Sequence, residues 1–150
     1  MIKFVCKTFD ELTLSELYDL MSLRQAVFVV EQNCPYLDAD GKDQAASHLM
    51  GFDENKTLVA YTRLLPKGVS YKEYPSIGRV VTAESVRGKG VGRELMKQSL
   101  VWMEKLFPKE DVKISAQCYL EKFYLSLGFK IIGEEYLEDD IPHYPMLRKT

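Results

Sequence analysis

A glycine-rich segment in the middle of the chain combines residue types that suit phosphate binding. Residues 76–82 are rich in valine and isoleucine, and three glycines at alternate positions follow, Gly88, Gly90 and Gly92, ahead of an amphipathic stretch. Glycine lets the backbone approach a ligand closely, and the first turn of a helix offers unpaired N–H groups and a positive dipole end. The pattern therefore predicts an anion site, most naturally for a phosphate, where a strand leads into a helix.

Two common phosphate-binding motifs do not fit this segment. The mononucleotide loop needs Gly-Lys followed by Ser or Thr, whereas Lys89 is followed by Gly90. The dinucleotide fingerprint starts well at Gly88 and Gly90 but has Arg93 at its third glycine position. A glycine-rich helix start that serves only close packing stays open as the alternative to a phosphate site.

The spacing Arg87-x-x-Gly90-x-Gly92 after a valine-rich strand resembles the acetyl-CoA pyrophosphate loop of the GNAT superfamily of N-acetyltransferases. A second segment, Phe123-Tyr124-x-x-x-Gly128-Phe129, is similar to the helix end that follows the fifth strand in that superfamily. Residues 23–36 and the run 140–143 are in turn similar to its ElaA-like subgroup. The resemblance covers nearly the whole chain, because the predicted order of elements also matches.

The resemblance implies a co-substrate, acetyl-CoA, and no metal. Val80, Val81 and Thr82 would present backbone groups to the pantetheine arm, and the N–H groups of residues 88–93 would hold the pyrophosphate. Gln117 stands where many relatives carry an asparagine that bonds the pantetheine. The cofactor-binding residues implied in this way are Val80, Val81, Thr82, Arg87, Gly88, Lys89, Gly90, Val91, Gly92, Arg93 and Gln117.

Tyr124 matches the family tyrosine that protonates the departing thiolate, so the resemblance implies that it is the general acid. A core aromatic with a satisfied hydroxyl is the alternative reading. An alkylamine with a pKa near 10.4 must also lose a proton before it attacks a thioester. Residues 112–116 hold no carboxylate, so the general base stays open between Glu31, His48, Glu84 and water.

Composition excludes several classes of protein. The 150 residues include 46% hydrophobic ones with seven Phe and nine Tyr, which contradicts a disordered chain. A formal charge of −2 argues against a nucleic-acid binder, and the chain holds no apolar run near the ~18 residues of a membrane span. We expect a cytoplasmic protein. The cysteines Cys6, Cys34 and Cys118 lack metal or disulfide spacing, and we expect buried thiols.

The elements that position the two motifs alternate in type along one domain, residues 1–150. Periodicity predicts strands over 2–7, 49–52, 57–65, 76–82, 112–116, 129–136 and 143–148. It predicts helices from about Leu14 to Phe28, from Gly90 to Phe107 and from Leu120 to Leu127. This order implies an α/β (α+β), GNAT-like acyl-CoA N-acyltransferase fold, a mixed central sheet of about seven strands flanked by about four helices.

Acidic residues gather in two segments, 38–43 and 134–140. In the first, Asp38, Asp40 and Asp43 resemble half of a calcium loop, but the glycine comes too early and Leu49 stands where the bidentate glutamate belongs. An acidic wall beside the acceptor site and an ordinary turn remain as interpretations. Basic side chains surround the predicted phosphate site instead. The net charge near zero would therefore be the sum of a basic end and an acidic end of the molecule.

The sequence thus predicts an acetyl-CoA-dependent N-acetyltransferase in which an amine attacks directly in a ternary complex. A catalytically reduced CoA-binding sensor or interaction module is the alternative. The expected partner is a small-molecule or peptide amine, with no nucleic acid and no membrane, and the chain could form a homodimer. The acceptor's identity is left open, because fold does not fix function.

Overall fold

The computed structural model describes all 150 residues as two antiparallel sheets, placed side by side, with helices packed on them. The eight strands are β1 Lys3–Thr8, β2 Ser47–Phe52, β3 Leu58–Leu65, β4 Ser76–Thr82, β5 Val112–Gln117, β6 Phe129–Ile131, β7 Tyr136–Glu138 and β8 Ile141–Arg148. The first sheet has the order β1-β2-β3-β4, and in the second β8 pairs with β5 on one side and with β6 and β7 on the other. The predicted combination of α-helices and β-strands is present, with one strand more and one α-helix fewer than expected.

Three α-helices accompany the sheets, α1 Leu14–Arg24, α2 Val91–Leu106 and α3 Glu121–Ser126. Helix α1 begins at the predicted capping box, where the Thr13 hydroxyl accepts from the Glu16 N–H at 3.1 Å and the Glu16 carboxylate accepts from the Thr13 N–H at 2.8 Å. The helix then continues as a π-helical stretch, Gln25–Glu31, three residues beyond the predicted end. No helix in the structure is both long and apolar enough to cross a bilayer.

Strands β4 and β5 are neighbours that separate along their length. They meet at their first residues, where the Lys113 N–H donates to the Pro75 carbonyl at 3.1 Å, and they form no strand pairing beyond that point. The predicted single mixed sheet is therefore wrong in detail, because two antiparallel sheets meet along this seam. The seam opens toward the carboxyl ends of both strands, and residues of both strands line a cleft there.

The main core fills the space between the sheets and helices α2 and α3. Side chains from both sheets contribute to it, so the core ties together the two walls of the seam, with Leu49, Leu64, Leu95, Met96, Ile114, Tyr124, Phe129 and Met146 at its centre. A smaller cluster packs α1 and its π-helical extension on the first sheet, and it contains Leu20, Val27, Met50, Tyr61 and Val81.

The predicted strand over residues 129–136 and the prediction for the cysteines need correction. Residues 129–136 do not form one strand, because the chain leaves the sheet after Ile131 and returns as β7 at Tyr136. The three cysteines are free, but each is only partly buried. Burial and the nearby Glu11 charge raise the pKa of Cys6 to about 11, so this thiol stays protonated at neutral pH.

Candidate functional site

A cleft of about 470 Å³ opens where β4 and β5 diverge. The π-helical extension of α1 forms one rim, and the β7–β8 hairpin forms the opposite rim. Seven residues predicted as site residues line this cleft, Val80, Val81, Thr82, Arg87, Gly92, Gln117 and Tyr124. The structure thus brings together side chains from β4, the loop before α2, β5 and α3 that lie far apart in sequence.

The edge of β4 that faces the cleft carries no partner strand along residues 80–82. A bulge sits in this strand, since Tyr61 pairs with Val81 but Arg63 pairs with Gly78, and Arg79 within it has a positive φ of 49°. Bulges often occur next to functional sites, where they re-aim the chain. An unpaired edge of this kind accepts an extended, amide-containing chain as an added strand.

The loop before α2 has the geometry of an anion site. Gly88 and Gly90 adopt φ values of 77° and 79°, which side-chain-bearing residues rarely reach, and Gly90 caps the helix. A Cβ added to Gly88, Gly90 or Gly92 would meet no atom within 4 Å, so the space above the loop is open. The N–H groups of the first helical turn have no acceptors within the helix and carry its positive dipole end.

Five other predicted site residues do not line the cleft. Lys89, Gly90 and Val91 border a separate pocket beside the N-terminus of the chain, and Gly88 borders neither. Arg93 instead connects α2 to α3: it donates to the Ser126 hydroxyl at 3.1 Å and lies 5.4 Å from the centre of the Phe123 ring. Backbone N–H groups of this loop can still serve an anion, whereas the Arg93 side chain has a structural contact.

Arg87 lies at the cleft and forms an ion pair with Glu31 across it. The Arg87 guanidinium donates to Glu31 at 3.0 Å and to the Thr82 carbonyl at 3.0 Å. The hydrogen bond from Arg87 holds the pKa of Glu31 below its usual value. Glu31 lines the cleft but is a poor proton acceptor while this pair persists, and Glu84 does not line it. Neither glutamate is therefore positioned to act as the general base, for which both were candidates.

His48 is excluded as the general base because it is fully buried. Its ring nitrogens are both occupied: Nδ1 lies 2.6 Å from the Tyr61 hydroxyl and Nε2 lies 2.9 Å from the Asp43 carbonyl. Burial lowers the pKa of His48, so the ring is neutral and structural.

Of the two interpretations of Asp38, Asp40 and Asp43, the acidic wall does not hold, because three arginines neutralise these carboxylates. Arg24, fully buried, donates to Asp38 at 2.7 Å and to Asp43 at 2.7 Å. Arg63 holds Asp40 with two bonds of 2.8 Å and contacts Asp43 at 3.0 Å. Arg79 lies 2.8 Å from Asp38. The segment is an ionic network that fixes the loop after the π-helical stretch.

This network predicts a loss of stability in acid. Burial alone would raise the pKa of Asp40 and Asp43, but hydrogen bonds and charges from the arginines outweigh it and hold both pKa values below the usual range. An unfolded aspartate titrates near pH 3.9. The stabilisation is thus complete above about pH 5 and is lost as the pH falls below about 4, since the unfolded chain then binds more protons.

Urea unfolding at pH 6, 4 and 3 measures this effect. We expect Asp40→Asn to lose less stability than the wild-type chain between pH 6 and pH 3, while Asp10→Asn, at an exposed carboxylate without an ion pair, follows the wild type. Equal losses in all three chains would show that the network does not govern acid unfolding.

Tyr124 lies on α3 at the floor of the cleft and is only 5% exposed. Its hydroxyl forms no hydrogen bond with the protein. The hydroxyl oxygen is nevertheless accessible to solvent, since the only fully buried side-chain N or O atoms without a hydrogen-bond partner are Nε of Arg63 and Nε of Arg79. Buried tyrosine hydroxyls normally find a partner. Burial, with a smaller contribution from Tyr119, raises the pKa of Tyr124, so the hydroxyl keeps its proton and faces the cleft as a donor.

Four polar residues lie on the opposite wall of the cleft; sequence analysis placed Glu138 in the acidic segment 134–140 but gave no site role to the other three. Ser115, Tyr136, Glu138 and His143 come from β5, β7 and β8, and all but Tyr136 line the cleft directly. The two-residue turn Asp139-Asp140 joins β7 to β8 and places Glu138 opposite Ile141. Both turn residues have positive φ, 52° and 62°, as in a type I′ hairpin. An Asp-Asp pair between short strand-like runs was the available signal.

Comparisons with known proteins extend the similarity over the whole chain. A family model described as an acetyltransferase (GNAT) domain matches residues 26–150. Protein ElaA of Escherichia coli strain K12 is 46% identical over 143 residues, covering 94% of this chain and 92% of that protein.

Two solved structures give the same result. An acyl-CoA N-acyltransferase from Pseudomonas aeruginosa is 43% identical, with a TM-score of 0.92 and 99% of both chains covered. The crystal structure of Escherichia coli ElaA is 43% identical with a TM-score of 0.92, covering 99% of this chain and 100% of that one. The similarity is therefore not confined to the two motifs.

Proposed function

The chain belongs to the GNAT acetyltransferase family and to its ElaA-like subgroup, and on that premise we propose that it transfers an acetyl group from acetyl-CoA to an amine. The observation that carries this proposal is the convergence, in one cleft, of the free β4 edge, the start of α2 at Gly92 and the Tyr124 hydroxyl, with the open glycine loop directly before that helix start. A pantetheine arm needs main-chain partners, a diphosphate needs a helix N-terminus, and a departing thiolate needs a proton.

The residues present fit acetyl-CoA, which supplies an acetyl group activated as a thioester. Backbone groups of Val81 and Thr82 would pair with the amides of its arm, and Gln117 lies across the cleft with an amide that can donate and accept. The N–H groups that begin α2 would hold the diphosphate. Arg87 would add positive charge there, in competition with its ion pair to Glu31.

Tyr124 would act as the general acid. As an amine nitrogen forms its bond to the acetyl carbonyl carbon and the carbon–sulfur bond breaks, the Tyr124 hydroxyl gives its proton to the sulfur. The raised pKa of Tyr124 keeps that proton in place until the sulfur becomes more basic than a thioester. No charged partner occupies the hydroxyl beforehand.

Gly90→Glu tests the phosphate loop. We expect it to raise the Kd for acetyl-CoA at least about tenfold, because the carboxylate would stand at the helix N-terminus that should hold a diphosphate. Gly68→Glu is the matched control: Gly68 also has a positive φ, 94°, with open space around it, but lies in the loop before β4, outside the cleft.

Calorimetric titration of the wild-type chain and the two variants gives the answer. Equal Kd values for Gly90→Glu and Gly68→Glu would contradict the assignment of the phosphate site, since both substitutions introduce the same strain and the same charge.

A binding module without turnover is the second candidate function. The observation in its favour is that β5 carries no carboxylate that could serve as a base. Release of coenzyme A from acetyl-CoA, followed over a panel of alkylamines and peptides, separates the two. Tight acetyl-CoA binding without release for any amine would favour the module.

A further inference from the structure

A polar cluster on the second sheet forms the wall of the cleft on the hairpin side. His143 lies at its centre, opposite Gln117 of β5 and Tyr136 of β7, and its ring stacks on the Tyr136 ring at 6.1 Å. His143 is 6% exposed, and what remains exposed borders the cleft. A histidine this buried normally satisfies both ring nitrogens, as His48 does.

One ring nitrogen of His143 is fixed and the other is free. Nδ1 lies 2.6 Å from the Ile141 carbonyl oxygen, which can only accept, so the proton of the neutral ring resides on Nδ1. Nε2 then carries a lone pair. Nε2 has no hydrogen-bond partner in the protein. It is also not a fully buried atom, and because His143 lines the cleft, Nε2 is accessible from there. A positioned imidazole with an accessible lone pair is the usual form of a general base.

Glu138 supplies a negative charge beside that nitrogen. Its Oε2 lies 3.7 Å from His143 Nε2, and its Oε1 accepts from the Ser115 hydroxyl at 3.2 Å. Ser115 is also hydrogen-bonded to the Tyr136 hydroxyl. No lysine or arginine pairs with Glu138, in contrast to the neutralised carboxylates of residues 38–43. A cation in the cleft would therefore meet an uncompensated carboxylate next to a free imidazole nitrogen.

We propose that His143 and Glu138 form the acceptor site and that the acceptor is a primary alkylammonium. This inference rests on the proposed acetyl transfer. Glu138 holds the ammonium, and His143 Nε2 takes one of its protons. The freed lone pair forms the bond to the acetyl carbon, and the departing sulfur takes the Tyr124 proton. The second proton lost by the nitrogen returns to the Tyr124 oxygen through solvent, and His143 releases its own to solvent.

The groups that face His143 set the conditions for a pH test. On β7 they are Tyr136 and Glu138; Tyr71 lies close enough to both to feel their charge, and Cys118 lies near Tyr136. Asp139 lines the same wall. Burial raises the pKa of Tyr71 to about 12 and raises that of Tyr136, so neither phenol titrates between pH 6 and 9.

Three variants assayed with lysine amide and acetyl-CoA test the assignment. For His143→Gln we expect kcat/KM to fall about 100-fold at pH 7. The loss should shrink as the pH rises to 9, because the fraction of free amine grows about tenfold per pH unit below its pKa. Glu138→Gln should raise KM about tenfold with a smaller effect on kcat. Glu134→Gln, an exposed carboxylate outside the cleft, should match the wild type.

The outcomes distinguish this inference from the proposed function. A kcat/KM of His143→Gln equal to that of the wild type, or a loss of kcat/KM equally large at pH 7 and pH 9, would overturn the assignment of His143 as the base. Either result would leave the proposed acetyl transfer intact. If the wild-type chain released no coenzyme A from acetyl-CoA in the presence of lysine amide, 1,4-diaminobutane or glycinamide, acetyl transfer to such amines would be overturned, and this acceptor site with it. Circular dichroism of each variant establishes that the fold is retained.

Discussion

Replacing Tyr124 by Phe is expected to lower kcat for acetyl transfer about 100-fold and to leave the Kd for acetyl-CoA unchanged. The substitution removes one oxygen from a side chain that is otherwise held by packing, with edge-on contacts to Phe123 and Phe129 at 5.2 and 5.9 Å. Since the hydroxyl forms no hydrogen bond with the protein, its removal leaves no donor or acceptor unpaired. The fold should be retained while the proton for the sulfur is lost.

Tyr18→Phe is the matched control, because Tyr18 is 77% exposed on α1 and does not line the cleft. Steady-state kinetics and calorimetry on both variants give kcat and Kd separately. If Tyr124→Phe turned over as fast as Tyr18→Phe, Tyr124 would not be the acid. A weakened Kd with normal kcat would assign it to binding instead.

Arg24→Met is expected to cost about 3–5 kcal/mol of folding free energy, the largest stability effect that we predict. Arg24 is fully buried and is the shared partner of Asp38 and Asp43, so its loss leaves two carboxylates without their main cation. For a chain of this size the midpoint of thermal unfolding should fall by about 10 °C. Lys97→Met, which also replaces a cation by methionine but at an exposed residue without an ion pair, should change it little.

A second substitution separates charge from packing in this experiment. Asp43→Asn combined with Arg24→Met removes one of the stranded charges, and we expect the double variant to recover part of the lost stability. Thermal unfolding followed by circular dichroism gives all four values. An Arg24→Met chain as stable as Lys97→Met would show that the network is not a stabilising element.

The site elements that sequence predicted correctly are those with local signals. A valine-rich strand, three spaced glycines and an amphipathic stretch occupy consecutive residues, so the order β4, loop, α2 could be read directly. The capping box at Thr13 likewise marked the start of α1, since both of its partners lie within four residues. Where the interaction is local, the sequence pattern and the structure agree.

The interactions that sequence missed join residues far apart in the chain. Arg24 meets carboxylates 14 and 19 positions away, and Arg63 meets Asp40 across 23 positions. Because the sequence does not show those pairings, the aspartates could be interpreted as free carboxylates beside the site. The same applies to His48, whose burial depends on the packing of β2 between β1 and β3. Burial of a polar residue cannot be read from its neighbours in sequence alone.

The hairpin of β7 and β8 had a weaker signal than either motif. Residues 129–136 alternate well enough to suggest one strand, but the chain leaves the sheet after Ile131, and β7 then has only three residues. His143 comes to face Gln117 and Tyr136 only once the Asp139-Asp140 turn sets the register. The position of His143 in the wall of the cleft therefore depends on the strand pairing, which only the structure provided.

The net charge of −2 now has a more specific interpretation. The acids of residues 38–43 are neutralised in place, so they do not attract an acceptor. The helix N-terminus at the glycine loop supplies partial positive charge, with Arg87 beside it in an ion pair with Glu31, and Glu138 and Asp139 supply negative charge on the opposite wall. This polarity suits an anionic co-substrate at one end and a cationic amine at the other.

The most direct test of the central claim is the mass of the acceptor after incubation with acetyl-CoA and the wild-type chain. We expect lysine amide to gain one acetyl group for each coenzyme A released, and Tyr124→Phe to slow both equally. Hydrolysis of acetyl-CoA without acetylation of any amine, or binding of acetyl-CoA with no release, would contradict it.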